Sequence, residues 1–276
     1  MNASAASVFQ ALQLALLAAG VVLLWRLALS PQARSAAAPV LLPSWDVGPT
    51  NFLLFGISAF LGYFAGGAIA HQFSAGYGLG EDASKVFIGA AAQLGMLAGA
   101  LLAPVDRGRI AGPLPAGRVA ISGAAAFLAG FPVVLGVSLV AEWLVRRAGL
   151  PEARQDLIGM FARAESPELL AAMIALAVVA APVAEELAFR VGLFRWLRTR
   201  IPRWAALALP ALLFASLHVN WKTLAGLASV PPLVALAVVF SLAYERTGHV
   251  GTPIVAHALF NLNTVVGILT GAVKEP

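Results

Sequence analysis

Residues 169–194, LLAAMIALAVVAAPVAEELAFRVGLF, form an apolar run long enough to cross a bilayer, yet the run contains two carboxylates and one guanidinium. A helix needs about 20 apolar residues to span the hydrocarbon core. An ionisable side chain inside such a helix costs about 3 kcal/mol, so by default it faces the bundle interior and has a partner. The run therefore predicts a transmembrane helix whose charged residues, Glu185, Glu186 and Arg190, belong to an internal site.

The composition of the whole chain is that of an integral membrane protein. Of its 276 residues, 60% are hydrophobic and 11% are charged, whereas about a quarter of the residues of soluble domains are charged. The net charge of +5 does not indicate a nucleic-acid partner, because the basic residues fall mostly between apolar runs, as in cytoplasmic loops. The absence of cysteine excludes disulfides, thiolate catalysis and cysteine metal sites.

Further apolar runs of similar length predict an all-α fold, a polytopic membrane helix bundle with about eight transmembrane helices. Loops between the runs are brief, and the sixth run is short. The expected spans are residues 9–29, 51–70, 86–104, 119–145, 169–193, 204–219, 223–244 and 252–271.

The most polar segment between spans is RRAGLPEARQDLIGMFARAESPE, residues 146–168. Its apolar residues are interleaved with charges of both signs, which is typical of a short amphipathic helix at the membrane interface. Such a segment could cover the mouth of a site or rest on lipid headgroups, and we expect the second. The apolar residues concerned are Leu157, Ile158, Met160 and Phe161.

The charged residues of the fifth span are spaced so that the two carboxylates enter different environments. Glu186 precedes Arg190 by four residues, the favourable order for an ion pair on one helix face. Glu185 lies about 100° around the helix from Glu186 and can point into a cavity. Pro182 removes a backbone hydrogen bond and loosens the helix just before Glu185. The spacing predicts a Glu186–Arg190 pair beside an independent Glu185.

Two further spans each contain a histidine in a helical four-residue spacing. Phe214 and His218 occur in the sixth span, and His257 and Asn261 in the eighth. A carboxylate can take a proton from water while a histidine orients that water. A second histidine and a carboxamide can donate hydrogen bonds to a developing oxyanion. With Glu185, these residues form a set suited to hydrolysis.

The same residues leave a metal-dependent alternative open. Two histidines and one carboxylate suit a divalent metal such as zinc with an open position for water, and the ligands would be Glu185, His218 and His257. The HExxH motif is absent. Water activated by a metal and water activated by a carboxylate are therefore both compatible with the sequence.

Other polar residues near the spans are expected to be structural. His71 and His249 lie in or beside loops, Glu245 adjoins a turn at Thr247-Gly248, and Glu142 lies near a span end. Histidines in membrane helices more often bridge or pack helices than catalyse reactions. We therefore leave these residues out of the candidate site.

Three motifs occur in order on separate predicted helices. EELAFR (185–190) matches EExxxR, FASLH (214–218) matches FxxxH, and HALFN (257–261) matches HxxxN. The stretch AYERTGHVGTPIVAHALFN, residues 243–261, adds the lead-in to the third motif. Over about residues 168–270 the chain resembles the CAAX protease and bacteriocin-processing (CPBP, Abi) family of intramembrane peptidases.

The resemblance implies hydrolysis of a peptide bond in a membrane-bound or membrane-proximal substrate. It assigns water activation to Glu185 and His218, and oxyanion donation to His257 and Asn261. Glu186 and Arg190 would support the site. Family members have been regarded both as metalloproteases and as glutamate-dependent enzymes, so a divalent metal cofactor such as zinc stays open.

The resemblance also suggests how the chain is organised and where it works. We expect one integral membrane domain, in which residues 1–165 supply N-terminal transmembrane helices and the interfacial segment, and residues 166–276 form the catalytic core. Leucine and arginine outnumber isoleucine and lysine, which favours a bacterial inner-membrane location. The expected partners are a membrane-associated peptide or protein substrate and the lipid bilayer. A proton-coupled transporter using the same residues as a relay and a non-catalytic membrane scaffold are the alternatives.

Overall fold

A computed structural model describes residues 3–35, 40–106, 108–149, 159–161, 164, 166–219, 221 and 224–272. Within these residues the chain forms a bundle of eight principal helices, which confirms the polytopic all-α fold. In chain order they are α1 (Ser4–Ser35), α2 (Pro49–Tyr77), α3 (Glu81–Leu102), α4 (Ala116–Arg147), α5 (Pro167–Arg198), α6 (Arg203–His218), α7 (Val230–Thr247) and α8 (Gly251–Leu269).

Seven of these eight helices in the described part of the chain are long and apolar enough to cross a membrane, and α6 is the exception. Its 16 residues extend about 24 Å at about 1.5 Å per residue, less than the hydrocarbon core of about 30 Å. The described residues thus contain seven helices of full span length and the short sixth run, against an expectation of about eight. The seventh span also begins later than expected, at Val230, because two prolines occupy its first turn, where their missing N–H groups cost nothing.

Helix α5 packs against α2, α3, α6, α7 and α8 and is the centre of the C-terminal half of the bundle. It is not a uniform α-helix, because two π-helical segments interrupt it. It is α-helical over Pro167–Ala175, Ala181–Glu186 and Arg195–Arg198, and π-helical over Leu176–Ala180 and Leu187–Phe194. The first π-helical segment ends just before Pro182, in agreement with the loosening expected there.

Helices α2 and α3 pack backbone against backbone through four glycines, Gly62 and Gly66 on α2 and Gly95 and Gly99 on α3. A β-carbon at any of the four would overlap the backbone of the facing helix. Small residues at a membrane helix interface let the two backbones approach closely. Because α3 also packs on α5, this contact fixes α3 beside the charged residues of α5.

Two described residues of the segment between α4 and α5 do not rest on headgroups as expected. Met160 and Phe161 are buried and pack in one cluster with Met173 of α5 and Val265 of α8. The expectation was wrong for these two residues because the apolar side chains find a protein surface to cover. Leu157 and Ile158 lie outside the described residues.

Glu245 is structural, as expected, but it acts through an ion cluster with two partly exposed arginines that its position near a turn does not reveal. Its side chain is only 1% exposed. Arg198 Nε donates to Glu245 Oε1 at 2.6 Å, and Arg203 Nη2 donates to Oε2 at 2.7 Å. Because the two arginines flank the α5–α6 turn, the cluster joins that turn to α7.

The glycine contact leads to a stability prediction for Gly95→Ala. The added methyl group forces the α2 and α3 backbones apart, so we expect the free energy of unfolding to fall by about 2 kcal/mol. The free energy of unfolding is measured on the purified protein by titrating SDS into detergent micelles. Gly56→Ala on α2 is the control, since a β-carbon there meets no neighbouring atom within 4 Å. Equal stabilities of the two variants would show that the contact is looser than described.

Candidate active site

Glu186 is fully buried and is held by two partners through one oxygen. Arg190 Nη1 donates to Glu186 Oε1 at 3.0 Å, so the ion pair expected from the four-residue spacing is present. His257 Nδ1 lies 2.9 Å from the same oxygen. Arg190 Nη2 donates in addition to the carbonyl of Ala237 on α7, at 3.1 Å. The Glu186–Arg190 ion pair therefore connects α5, α7 and α8.

Aromatic rings enclose the guanidinium of Arg190, which is only 1% exposed. Its central carbon lies 5.0 Å from the ring centroid of Phe214 and 5.2 Å from that of Phe240. A cation over an aromatic face is stabilised by the ring quadrupole, and more so when it is desolvated. Phe214 is the first residue of the FxxxH motif, and its ring thus stabilises the arginine of the EExxxR motif.

Glu185 points away from Glu186 and faces three other side chains. Gln93 Nε2 of α3 donates to Glu185 Oε1 at 2.8 Å. His218 Nε2, at the end of α6, lies 3.7 Å from Oε1, and His257 Nε2 of α8 lies 3.8 Å from Oε2. Four helices thus bring one carboxylate, two imidazoles and an amide together.

The partners of both histidines define which ring nitrogen carries hydrogen. His218 Nδ1 lies 2.7 Å from the carbonyl oxygen of Phe214, which can only accept, so this nitrogen is the donor. His257 Nδ1 faces the carboxylate of Glu186 and donates for the same reason. In the neutral imidazoles, Nε2 therefore presents a lone pair towards Glu185. The group that fits between these acceptors is a hydrogen-bond donor such as water.

The side-chain amide of Asn261 has a backbone partner. Its Nδ2 donates to the carbonyl oxygen of Ala177, in the first π-helical segment of α5, at 2.7 Å. The structure thus brings Glu185, His218 and His257 to one point, and it engages the Asn261 amide with the backbone of α5.

Comparison with known proteins gives one result that bears on this geometry. Residues 167–263 match the model of a family described as type II CAAX prenyl endopeptidase Rce1-like. The matched region contains Glu185, Glu186, Arg190, His218, His257 and Asn261. A search of curated proteins and a search of solved structures found no match.

Gln93 is a site residue that sequence reasoning missed, and it lies outside the region matched by the CAAX protease family. It belongs to no motif. The available signal was a single amide within the apolar run IGAAAQLGML, residues 88–97, since polar groups inside a membrane helix tend to have partners. The N-terminal helices therefore contribute directly to the site.

The zinc site considered from the sequence, with Glu185, His218 and His257 as ligands, stays a prediction. Zinc ligands lie about 2.0–2.2 Å from the ion in tetrahedral geometry. Among the side chains that the structure describes, no three histidine, aspartate or glutamate groups have the spacing of ligands to one ion.

The buried ion pair leads to a stability prediction for Arg190→Met. The variant leaves the Glu186 carboxylate buried without its cation, so we expect the free energy of unfolding to fall by about 3–5 kcal/mol. Adding Glu186→Gln should restore part of the loss, because the amide is neutral and still accepts from His257. Unfolding in detergent micelles measures both variants.

The matched control is Glu142→Gln, which breaks an ion pair with Arg146 that is 3.8 Å long and about half exposed on both sides. We expect a change of less than about 0.5 kcal/mol there. A loss in Arg190→Met no larger than in this control would contradict the role of the buried pair.

Gln93→Leu tests whether the amide holds Glu185. A hydrogen bond to a charged group contributes about 1.5–3 kcal/mol, so we expect the rate of peptide cleavage to fall by at least about tenfold. Gln13→Leu is the control, because Gln13 pairs with the side chain of Asn263 rather than with Glu185. Wild-type cleavage by Gln93→Leu would remove Gln93 from the site.

Proposed function

We propose that the chain is an intramembrane endopeptidase that hydrolyses a peptide bond of a membrane-bound or membrane-proximal substrate. The observation that carries the proposal is the placement of Glu185, whose two carboxylate oxygens face Nε2 of His218 and of His257 at 3.7 and 3.8 Å. The three residues come from three helices, α5, α6 and α8. Glu185 is only 5% exposed, so its reaction would proceed apart from bulk water.

Glu185 acts as the general base in this proposal. A water molecule between Glu185 and His218 donates one hydrogen to the carboxylate and the other to the Nε2 lone pair of His218. Glu185 takes the first proton as the water oxygen attacks the carbonyl carbon of the scissile bond. It then returns that proton to the leaving amide nitrogen, so the carboxylate is regenerated at the end of the cycle.

His257 stabilises the oxyanion. With hydrogen on both ring nitrogens, the imidazolium donates from Nε2 to the oxygen that becomes negative during the attack. Nδ1 remains bonded to the Glu186 carboxylate, which balances the positive charge, and Arg190 holds Glu186 in place. Glu186 and Arg190 are therefore positioning residues that act through His257.

The surroundings of the site favour an apolar substrate. The reacting residues lie among helices long and apolar enough to span a bilayer, and phenylalanine rings pack against both imidazoles. A peptide that is hydrophobic near the scissile bond would lose little hydration energy on entering. We propose a bacterial cytoplasmic membrane as the location and a membrane-associated peptide or protein as the substrate.

The mechanism predicts that Glu185→Gln and His218→Ala each reduce cleavage by at least about a hundredfold, because general base catalysis contributes about 10²–10⁴-fold. Membrane peptidomes of cells expressing each variant or the wild type provide the measurement. Peptides produced by the wild type should be missing with both variants and present with His71→Ala, whose side chain is exposed on α2. An unchanged peptidome with Glu185→Gln would refute the mechanism and favour a relay or scaffold.

A further inference from the structure

The backbone of α5 changes register just before the catalytic glutamates. The N–H of Ala181 donates to the carbonyl of Leu176, five residues back, as in a π-helix. In this register the next donor along the chain belongs to residue 182 and would reach the carbonyl of Ala177. Residue 182 is proline, which has no N–H to donate.

The carbonyl of Ala177 therefore lacks a donor from either helical register. In an α-helical register its donor would be the N–H of Ala181, but that group is bonded to Leu176. At membrane depth no bulk water can replace the missing donor, and an unsatisfied carbonyl is costly. Asn261 on α8 supplies a donor, with Nδ2 2.7 Å from the oxygen of Ala177.

This hydrogen bond lies where it can control the direction of the glutamates. A π-helical turn contains an extra residue compared with an α-helical turn, and each residue turns an α-helix by about 100°. The faces on which Glu185 and Glu186 project thus depend on whether this turn is kept. Asn261 follows His257 by one helical turn, so the bond to Ala177 and the bond between His257 and Glu186 join the same two helices.

We propose that Asn261 is a positioning residue whose amide replaces the backbone donor that Pro182 lacks. It keeps the π-helical turn of α5 in place, and the turn directs Glu185 towards His218 and His257. This role differs from the oxyanion donation that the family resemblance implies for Asn261. As far as cleavage is concerned, the inference rests on the proposed function.

A double-mutant cycle between Asn261→Ala and Pro182→Ala tests the proposal. Alanine at position 182 supplies the donor that the π-helical register lacks, because its own N–H can bond the carbonyl of Ala177 while Ala181 stays bonded to Leu176. Asn261→Ala should therefore reduce the folding equilibrium constant by about tenfold when Pro182 is present. The loss should be less than about threefold when residue 182 is alanine.

Stability is measured by SDS titration in micelles, and every variant also carries Glu185→Gln. The stability result is therefore independent of catalysis and remains valid if the proposed function is wrong. Asn263→Ala is the control, since the Asn263 amide pairs with Gln13 and not with α5. Its effect should be equal with proline and with alanine at position 182. Equal losses for Asn261→Ala in the two backgrounds would overturn the proposal.

Cleavage in chains with native Glu185 separates positioning from a purely structural role. The readout is the yield of those peptides that the wild type produces and Glu185→Gln does not. With Pro182 present, and at a temperature where the variant is folded, Asn261→Ala should lower this yield by about tenfold. Pro182→Ala should restore most of that loss. An unchanged peptide yield would show that Asn261 only stabilises the fold. An equal loss with proline and with alanine at position 182 would favour oxyanion donation. Either result overturns the positioning role.

Discussion

The hydrogen-bonded ion pair of the buried Glu186 carboxylate is the interaction on which the rest of the site depends. A charge removed from water requires a close opposite charge and further hydrogen bonds. Arg190 provides the charge from the same helix, and its own burial is possible because phenylalanine rings and the Ala237 carbonyl surround it. The second partner of Glu186 is His257, so the ion pair also sets the ring orientation of a catalytic candidate.

Adjacent carboxylates acquire different roles because neighbouring residues on a helix face different surroundings. Glu186 meets a cation and an imidazole N–H, whereas Glu185 meets one amide donor and the Nε2 atoms of two imidazoles. Contrasting environments of this kind separate the functions of paired acidic groups in enzymes. The distinction requires that the two glutamates keep their directions around the axis of α5. The π-helical segments on both sides of Ala181–Glu186 determine these directions.

The site also depends on helices outside the region matched by the CAAX protease family. Gln93 reaches Glu185 from α3, and α3 is held close by the glycine contact with α2. Met160 and Phe161, from the segment before α5, cover part of α5 and α8. These contributions were difficult to foresee, because an isolated amide or a pair of apolar residues carries no motif and depends on which surface comes near.

The sequence alone determined the membrane bundle, the Glu186–Arg190 pair and the grouping of Glu185 with His218 and His257. Hydrophobic length and four-residue spacing are local properties, and a buried charge in a membrane helix requires a partner. Only the tertiary structure decided the partners of Gln93 and Asn261, the shortness of α6 and the π-helical turns. These features depend on which backbone groups lose their donors and which distant side chains come within reach, and neither is encoded in any single stretch of the chain.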